Sequence, residues 1–279
     1  MTDSPRSILI TGCSSGIGFY CAHALRDRGW RVFASCRQQS DCDRLIADGF
    51  ESPRIDYSDT ASITAGLTEV LAATGGTLDA LFNNGAFACP GAVEDLPTDA
   101  LRETFETNVF GWHELTRQIV PVMRAQGHGR IVQNSSVLGF TPYRWRGAYG
   151  ASKFALEGLN RTLQLELSDT PIKVVLIQPG PITSKFRLNA IPHFERWVDW
   201  EHSARSEQYR NDLIKHLYEG GKKKSAFELG PEAVAAVLFK ALERANPRPR
   251  YMVTSPTKAM AFAIRILPDR MLNALLSRQ

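Results

Sequence analysis

Tyr149 and Lys153 are four residues apart in the run Tyr149-Gly-Ala-Ser-Lys153. On a helix that spacing puts both side chains on one face, within a turn of each other. A free phenol titrates at about 10 and is a poor base at neutral pH, but a nearby ammonium favours its ionised form. Such a pair can serve as the acid in carbonyl reduction or the base in alcohol oxidation. Ser136 lies 13 residues before Tyr149, and its hydroxyl can donate to an oxygen on which charge develops. Each residue alone has a plainer reading. Tyrosines on amphipathic helices usually pack, lone lysines usually hydrate, and a Ser-Ser pair after a strand usually turns the chain.

A second feature with chemical potential is the run Ile8-Leu-Ile-Thr-Gly-Cys-Ser-Ser-Gly-Ile-Gly18, which leads from strand-like into helix-like sequence. Gly12 suits a turn conformation closed to other residues, and Gly16 and Gly18 let backbone approach a phosphate and the sheet. A helix starting there points free N–H groups at a diphosphate. The spacing is GxxxGxG, not GxGxxG, and a tight turn without a ligand gives the same pattern. Its place after the first strand of an α/β chain favours phosphate binding. Cys13 within the turn reads as a small filler.

Both features need elements to hold them. Strand-like runs fall at Ser7–Thr11, Arg31–Ser35, Arg54–Tyr57, Leu78–Asn83, Arg130–Asn134, Lys173–Gln178 and Arg250–Thr254. Helical patterns fall at Gly16–Arg28, Ser40–Asp48, Thr60–Ala73, Thr98–Arg124, Tyr149–Ser168 and Pro231–Glu243. Strands separated by helices predict an α/β chain with a Rossmann-type, doubly wound parallel sheet in one domain. Residues 183–229 look irregular and carry Phe186, Phe194, Trp197, Trp200, Tyr209 and Tyr218. They read either as a helical insertion packed on the body or as a lid over an apolar substrate. A large insert at the carboxyl side of a late strand favours the lid. Residues 255–279 form a tail in which apolar residues alternate with Lys258, Arg265, Arg270 and Arg278. Pro268 divides the tail into two short helical pieces.

Composition narrows the function classes. The chain has 279 residues, 43% hydrophobic and 22% charged, which are ordinary globular values. A net charge of +4 spread along the chain does not suggest nucleic-acid binding. No apolar run approaches the roughly 18 residues of a membrane span, and the polar start shows no secretory signal. The odd count of 5 cysteines, without a CxxC pair, disfavours zinc or a disulfide framework and fits the cytoplasm. No histidine recurs at metal-ligand spacing, so no metal is expected. His193 reads as a surface residue, and Lys222-Lys-Lys224 as a solvated turn. Arg144-Trp-Arg146 fits either a pocket mouth or an exposed loop.

The chain resembles the short-chain dehydrogenase/reductase family. Thr11-Gly-Cys-Ser-Ser-Gly-Ile-Gly18 is similar to its TGxxxGIG motif, Tyr149–Lys153 to its YxxxK motif, and Ser136 keeps the family's distance to Tyr149. Asn83-Asn-Gly-Ala86 resembles its NNAG element with the last two residues exchanged. Asn108 follows on a helix, and Pro179-Gly-Pro-Ile-Thr183 resembles the segment around the nicotinamide. The resemblance implies that Gly12, Ser14, Ser15, Gly16, Ile17, Gly18, Asp56, Asn83, Asn84, Gly85, Pro179, Gly180, Ile182 and Thr183 hold the cofactor. Tyr149 and Lys153 join them, Lys153 on the nicotinamide ribose. Asn108 is implied to hold a water that links Lys153 to solvent, which makes Ser136, Tyr149, Lys153 and Asn108 the implied catalytic set. A homodimer or homotetramer is implied through the helices at Thr98–Arg124 and Tyr149–Ser168. Glycine-turn and strand-end sequences are similar to those of hydroxysteroid and retinol dehydrogenases, and the whole pattern to bacterial aldehyde reductases. Together these point to an apolar small-molecule carbonyl or alcohol.

Cofactor choice is legible from the residues themselves. NAD enzymes place an acid at the end of the second strand, on the ribose hydroxyls. That strand end here reads Cys36-Arg37. A guanidinium at Arg37 suits the 2′-phosphate of NADP, although such a residue can equally be a solvated loop charge. Ser14 adds a hydroxyl donor. Asp41 and Asp43 come later and begin the next helix. A catalytically silent, nucleotide-sensing regulator on the same fold is the alternative function, disfavoured because Tyr149 and Lys153 are both present. Glycine spacing disfavours a sugar-nucleotide epimerase or dehydratase, and Tyr–Lys spacing disfavours an enoyl reductase. The tail is expected to pack on the body or a partner subunit; peripheral membrane contact is its other reading.

Overall fold

The protein, described by a computed structural model, is defined over residues 5–219 and 227–277. Lys222, Lys223, Lys224 and Arg278 lie outside the described residues. Short apolar runs form β1 (Ser7–Ile10), β2 (Arg31–Ala34), β3 (Ala80–Asn83), β4 (Gly129–Asn134), β5 (Ile172–Gln178) and β6 (Arg250–Met252). They build one sheet in the order β2-β1-β3-β4-β5-β6, parallel throughout. The α-helices are α1 (Gly16–Arg26), α2 (Gln39–Ala47), α3 (Thr60–Ala73), α4 (Thr98–Phe105), α5 (Gly111–Gln126), α6 (Gly147–Glu166), α7 (Phe186–Trp197), α8 (Ser206–Gln208), α9 (Glu232–Glu243), α10 (Ser255–Ile266) and α11 (Asp269–Leu276).

Alternating strand residues enter opposite layers. Ile8 and Ile10 join Cys21 and Leu25 of α1 and Val234 and Leu238 of α9. Leu9 joins Leu67 of α3, Leu115 and Ile119 of α5, and Leu156 of α6. Each buried aliphatic side chain stabilises by roughly 1.5–3 kcal/mol. A one-residue slip would exchange the layers, so burial fixes the register.

Three segments differ from the sequence reading. Arg54–Tyr57 is not a strand; only the single bridges Phe33–Glu51 and Cys36–Arg54 form beside β2. Pro53 lies between them and has no N–H for a ladder. The Ser52 hydroxyl bonds the Ala34 carbonyl at 2.6 Å instead. The predicted helix Thr98–Arg124 is interrupted by a wide π-type turn at Glu106–Phe110. Residues 183–229 contain α7, α8 and two further wide turns, Tyr209–Leu213 and Lys215–Glu219. Phe194, Tyr209, Leu213 and Leu217 form a small core with Cys89 and Trp145. The tail is helical on both sides of Pro268, as α10 and α11.

Candidate active site

The chain leaves β1 for β2 on one side and later adds β3 on the other. In such sheets the ligand crevice opens at the carboxyl ends of the strands flanking that switch. Gly12 follows β1 with φ +68°, and a Cβ there would lie 2.5 Å from the Gly85 Cα after β3. The Asn84 amide donates to the carbonyls of Thr11 (2.9 Å) and Gly12 (3.3 Å), stitching the two loops together. Gly16 has φ +63°. Ser15 is the N-cap of α1, yet its side chain caps nothing and the first turn has no acid. The N–H groups of that turn therefore lack a side-chain partner, which suits an anionic diphosphate. Ser14 and Ile17 are half-buried beside them.

Not every expected residue points into the crevice. The Asn83 side chain is fully buried; it accepts from the Tyr57 hydroxyl and donates to Thr116 Oγ1 at 3.1 Å. Only its backbone is left for a cofactor. Asp56 accepts from the Ser58 amide (3.0 Å) and hydroxyl (2.7 Å). Gly85, where the resembled motif has alanine, accepts from Trp112 Nε1 at 2.7 Å. A Cβ on Gly85 would sit 3.3 Å from the Gly12 nitrogen, so the exchange tightens this contact.

The Arg37 side chain is exposed and has no hydrogen bond or ion pair among the described residues. Its neighbouring acids are engaged elsewhere: Asp41 pairs with Arg44 at 2.8 Å, and Asp43 accepts from Gln39 at 2.9 Å. Arg44 also donates to the Ser14 carbonyl at 2.8 Å, bringing a second guanidinium to the glycine turn. Sequence reading missed it; the signal was its i,i+3 spacing from Asp41 on α2.

The Tyr149 and Lys153 side chains are both buried, on one face of α6. The Lys153 Nζ donates to the Asn134 carbonyl at 3.0 Å and lies 4.1 Å from the Trp112 ring centre and 5.6 Å from that of Tyr149. Burial pulls the Lys153 pKa down to about 7, while Glu157 draws it up. Burial pushes the Tyr149 phenol up to about 12, against the Ser136 hydroxyl and the Arg146 guanidinium, which draw it down. The Lys153 ammonium donates to the Asn134 carbonyl, and Arg146 is a second cation beside the phenol. Ser136 Oγ also accepts from the Leu138 amide at 3.1 Å.

Asn108 lies in the wide turn between α4 and α5, fully buried. Its side chain accepts from the Phe87 amide (3.1 Å) and donates to the Phe87 carbonyl (2.9 Å) and Ser152 Oγ (3.2 Å). It thereby ties the loop after β3 to α6. The Pro179 carbonyl accepts from the Val137 amide at 2.8 Å, joining the end of β5 to the Ser136 segment. Gly180 packs against Thr254 and Thr257. Ile182 pairs with Leu229, and Thr183 Oγ1 donates to Glu228 at 2.7 Å. Phe186 then lies edge-on to Tyr149 with ring centres 5.2 Å apart, and Ala190 and Ala88 pack in the same cluster. His193 stacks on Phe87 with ring centres 3.9 Å apart, so it is no surface residue. Among the described residues, no three His, Cys, Asp or Glu side chains cluster as metal ligands.

A doubly wound parallel sheet with a glycine cradle at its switch defines the class, a Rossmann-type α/β protein. Residues 6–193 match the family model described as short chain dehydrogenase. The chain is 37% identical over 271 residues to the uncharacterized oxidoreductase YbbO of Escherichia coli strain K12, covering 97% of this chain and 94% of that one. It is 29% identical over 260 residues to retinol dehydrogenase 8 of Bos taurus, covering 88% and 81%. A short-chain dehydrogenase structure from Streptomyces avermitilis aligns with a TM-score of 0.75 and 28% identity over 95% of each chain. The chain belongs to the short-chain dehydrogenase family and is an oxidoreductase of that kind.

Proposed function

We propose that this protein is an NADP(H)-dependent carbonyl reductase or alcohol dehydrogenase whose substrate has an apolar body. One observation carries the reading: the Tyr149 phenol is buried beside Ser136, with Lys153 on the same helix face. A phenol held near 12 is fully protonated at neutral pH, the form an acid needs. In reduction Tyr149 gives its proton to the carbonyl oxygen, and Ser136 hydrogen-bonds that oxygen as charge builds on it. In oxidation the phenol must first lose its proton, which Arg146 and a protonated Lys153 favour. A bound nicotinamide would supply the hydride in one direction and accept it in the other. Lys153 is assigned to the nicotinamide ribose, the uncapped α1 terminus to the diphosphate, and Asn108 to holding the loop and helix together.

Arg37, unpaired among the described residues, supports NADP(H), because Asp41 and Asp43 are already engaged. Phe186, Ala190 and Leu138 around Tyr149 support an apolar substrate body under α7, and the relative named for retinol agrees. A cytoplasmic homodimer or homotetramer completes the proposal, in keeping with five free cysteines. The experiment is a panel of aromatic and unbranched aldehydes, ketones and alcohols, with kcat/KM measured for NADPH and NADH. NADPH should be preferred, and Arg37→Ala should weaken NADPH selectively by about 1.5–3 kcal/mol. Equal use of both cofactors by the wild type would refute the NADP(H) assignment. Cofactor binding without turnover of any panel member would favour the silent, nucleotide-sensing alternative.

A further inference from the structure

Arg146 is the N-cap of α6, three residues before Tyr149, and it favours the ionised form of that phenol. Arg146 is half-buried, and the desolvation it does suffer pulls its pKa down. Yet among the described residues its side chain has no hydrogen bond and no ion pair. Asp212, which lines the same cavity as Arg146, accepts from Trp145 Nε1 at 2.6 Å. Residues 220–226, outside the described residues, contain no Asp or Glu. A half-buried guanidinium that lines a cavity without a counter-ion is free to meet an anion there.

The surroundings are built to hold Arg146 there. Trp145 has φ +63°, the one left-handed non-glycine residue among those described. Its carbonyl accepts from the Gly91 amide at 3.0 Å, and its ring packs on Tyr209. Strained backbone of this kind survives only where packing enforces it, and it gathers at ligand sites. A cavity of about 60 Å³ opens beside Arg146, bordered by Tyr143, Trp145, Asp212 and His216. Arg187 also lies near His216, donating to its carbonyl at 2.9 Å. The local field on this side of Tyr149 is therefore positive.

We propose that Arg146 is a specificity residue that pairs with a carboxylate at one end of the substrate, while Tyr149 meets the carbonyl. The substrate class is then an oxo acid or hydroxy acid with an apolar body. This rests on the oxidoreductase reading above and adds the anion. A guanidinium pairs with a carboxylate through two parallel N–H donors, which a lysine cannot reproduce.

The test uses the full chain loaded with NADPH. Reduction of para-carboxybenzaldehyde is compared with that of its methyl ester, and unbranched ω-oxo acids with aldehydes of equal length. Wild type should favour at least one acid series by about tenfold or more in kcat/KM, the scale of one hydrogen bond to a charged group. Arg146→Gln should bring the acid-to-neutral ratio close to one, and Arg146→Lys should restore it in part. Titration calorimetry of para-hydroxymethylbenzoate against benzyl alcohol gives a readout independent of turnover, and the benzoate should bind more weakly to Arg146→Gln. Neutral aldehydes reduced as well as their acids, with benzoate binding unaffected by Arg146→Gln, would overturn the anion site and leave the oxidoreductase reading intact. Benzoate binding that depends on Arg146, without turnover of any carbonyl, would support the anion site and defeat that reading.

Discussion

Tyr149 keeps its proton at neutral pH because burial outweighs the groups that would draw it off. Tyr149→Phe removes the proton donor and keeps the ring against Phe186. The expected loss is at least about 100-fold in kcat, with cofactor affinity nearly unchanged. Near-normal turnover by this variant, followed as NADPH consumption, would end the mechanism. Lys153 is displaced the other way, from 10.5 down to about 7. Between those values the unfolded chain binds a proton that the native chain does not, so Lys153 makes stability rise with pH. Tyr149 acts later, from its ordinary 10 up to about 12, where the native chain keeps the proton and stability falls. Denaturant melts should show wild type gaining stability from about pH 7 to about pH 9, and Lys153→Met reducing that gain by about 1 kcal/mol or more. An identical pH slope in the two proteins would mean that Lys153 titrates as a solvated lysine does. The Tyr–Lys spacing was readable in the sequence because one helical turn fixes it. The role of Arg146 was not, since its surroundings come from Asp212 and His216 far along the chain.

At the scale of elements, the glycine turn tests how closely two loops must meet. Gly12 and Gly75 share φ +68°, but only at Gly12 would a Cβ strike backbone, 2.5 Å from the Gly85 Cα; around Gly75 nothing lies within 4 Å. Alanine at either site bears the left-handed strain, about 1 kcal/mol or more. Gly12→Ala must also part the ends of β1 and β3, so it should cost at least about 1 kcal/mol beyond Gly75→Ala and weaken cofactor binding. Equal losses in chemical denaturation would show that the contact is slack. Elements whose period is regular were legible: the pattern over Thr60–Ala73 matches α3 end for end. Where the period changes, the pattern blurred. The wide turns at Glu106–Phe110, Tyr209–Leu213 and Lys215–Glu219 add a residue per turn, which shifts apolar residues off a 3.6 repeat. Residues 183–229 therefore looked irregular although much of their length is helical. Ile55 and Tyr57 gave the strand signal at Arg54–Tyr57, but they are buried under α3 and α5 without a ladder. The i,i+3 spacing from Asp41 marks Arg44 as a paired residue on α2, but its second partner, the Ser14 carbonyl across the glycine turn, has no local signature.

At the scale of the whole molecule, two of the groups of uncovered apolar side chains lie on helices that can meet another surface. Leu101, Phe110, Phe154, Leu159 and Leu165 are exposed along α4, α6 and the wide turn before α5, with Leu165 76% exposed. Phe262, Ile266, Met271 and Leu275 are exposed on α10 and α11, where Phe262 is 65% exposed. Among the described residues no helix is long and apolar enough to cross a membrane. The opposite faces of α5 and α6 are committed to the core through Leu115, Ile119 and Leu156, so their outer faces are free to meet a second copy. A two-fold contact between helix pairs is self-complementary, and it needs roughly 800 Å² per partner to be stable. Light scattering at micromolar concentration should therefore give a dimer or tetramer. Phe110→Glu combined with Phe154→Glu should lower the mass without unfolding the chain, because both side chains already face water. Removing the residues after Thr254 should leave the mass unchanged if the helix pair is the interface, and reduce it if the tail is. Liposome co-sedimentation of the full and shortened chains separates the remaining use of the tail: a membrane contact requires the full chain to sediment more. A wild-type monomer in light scattering would refute the helix-pair assembly, whatever the liposomes show.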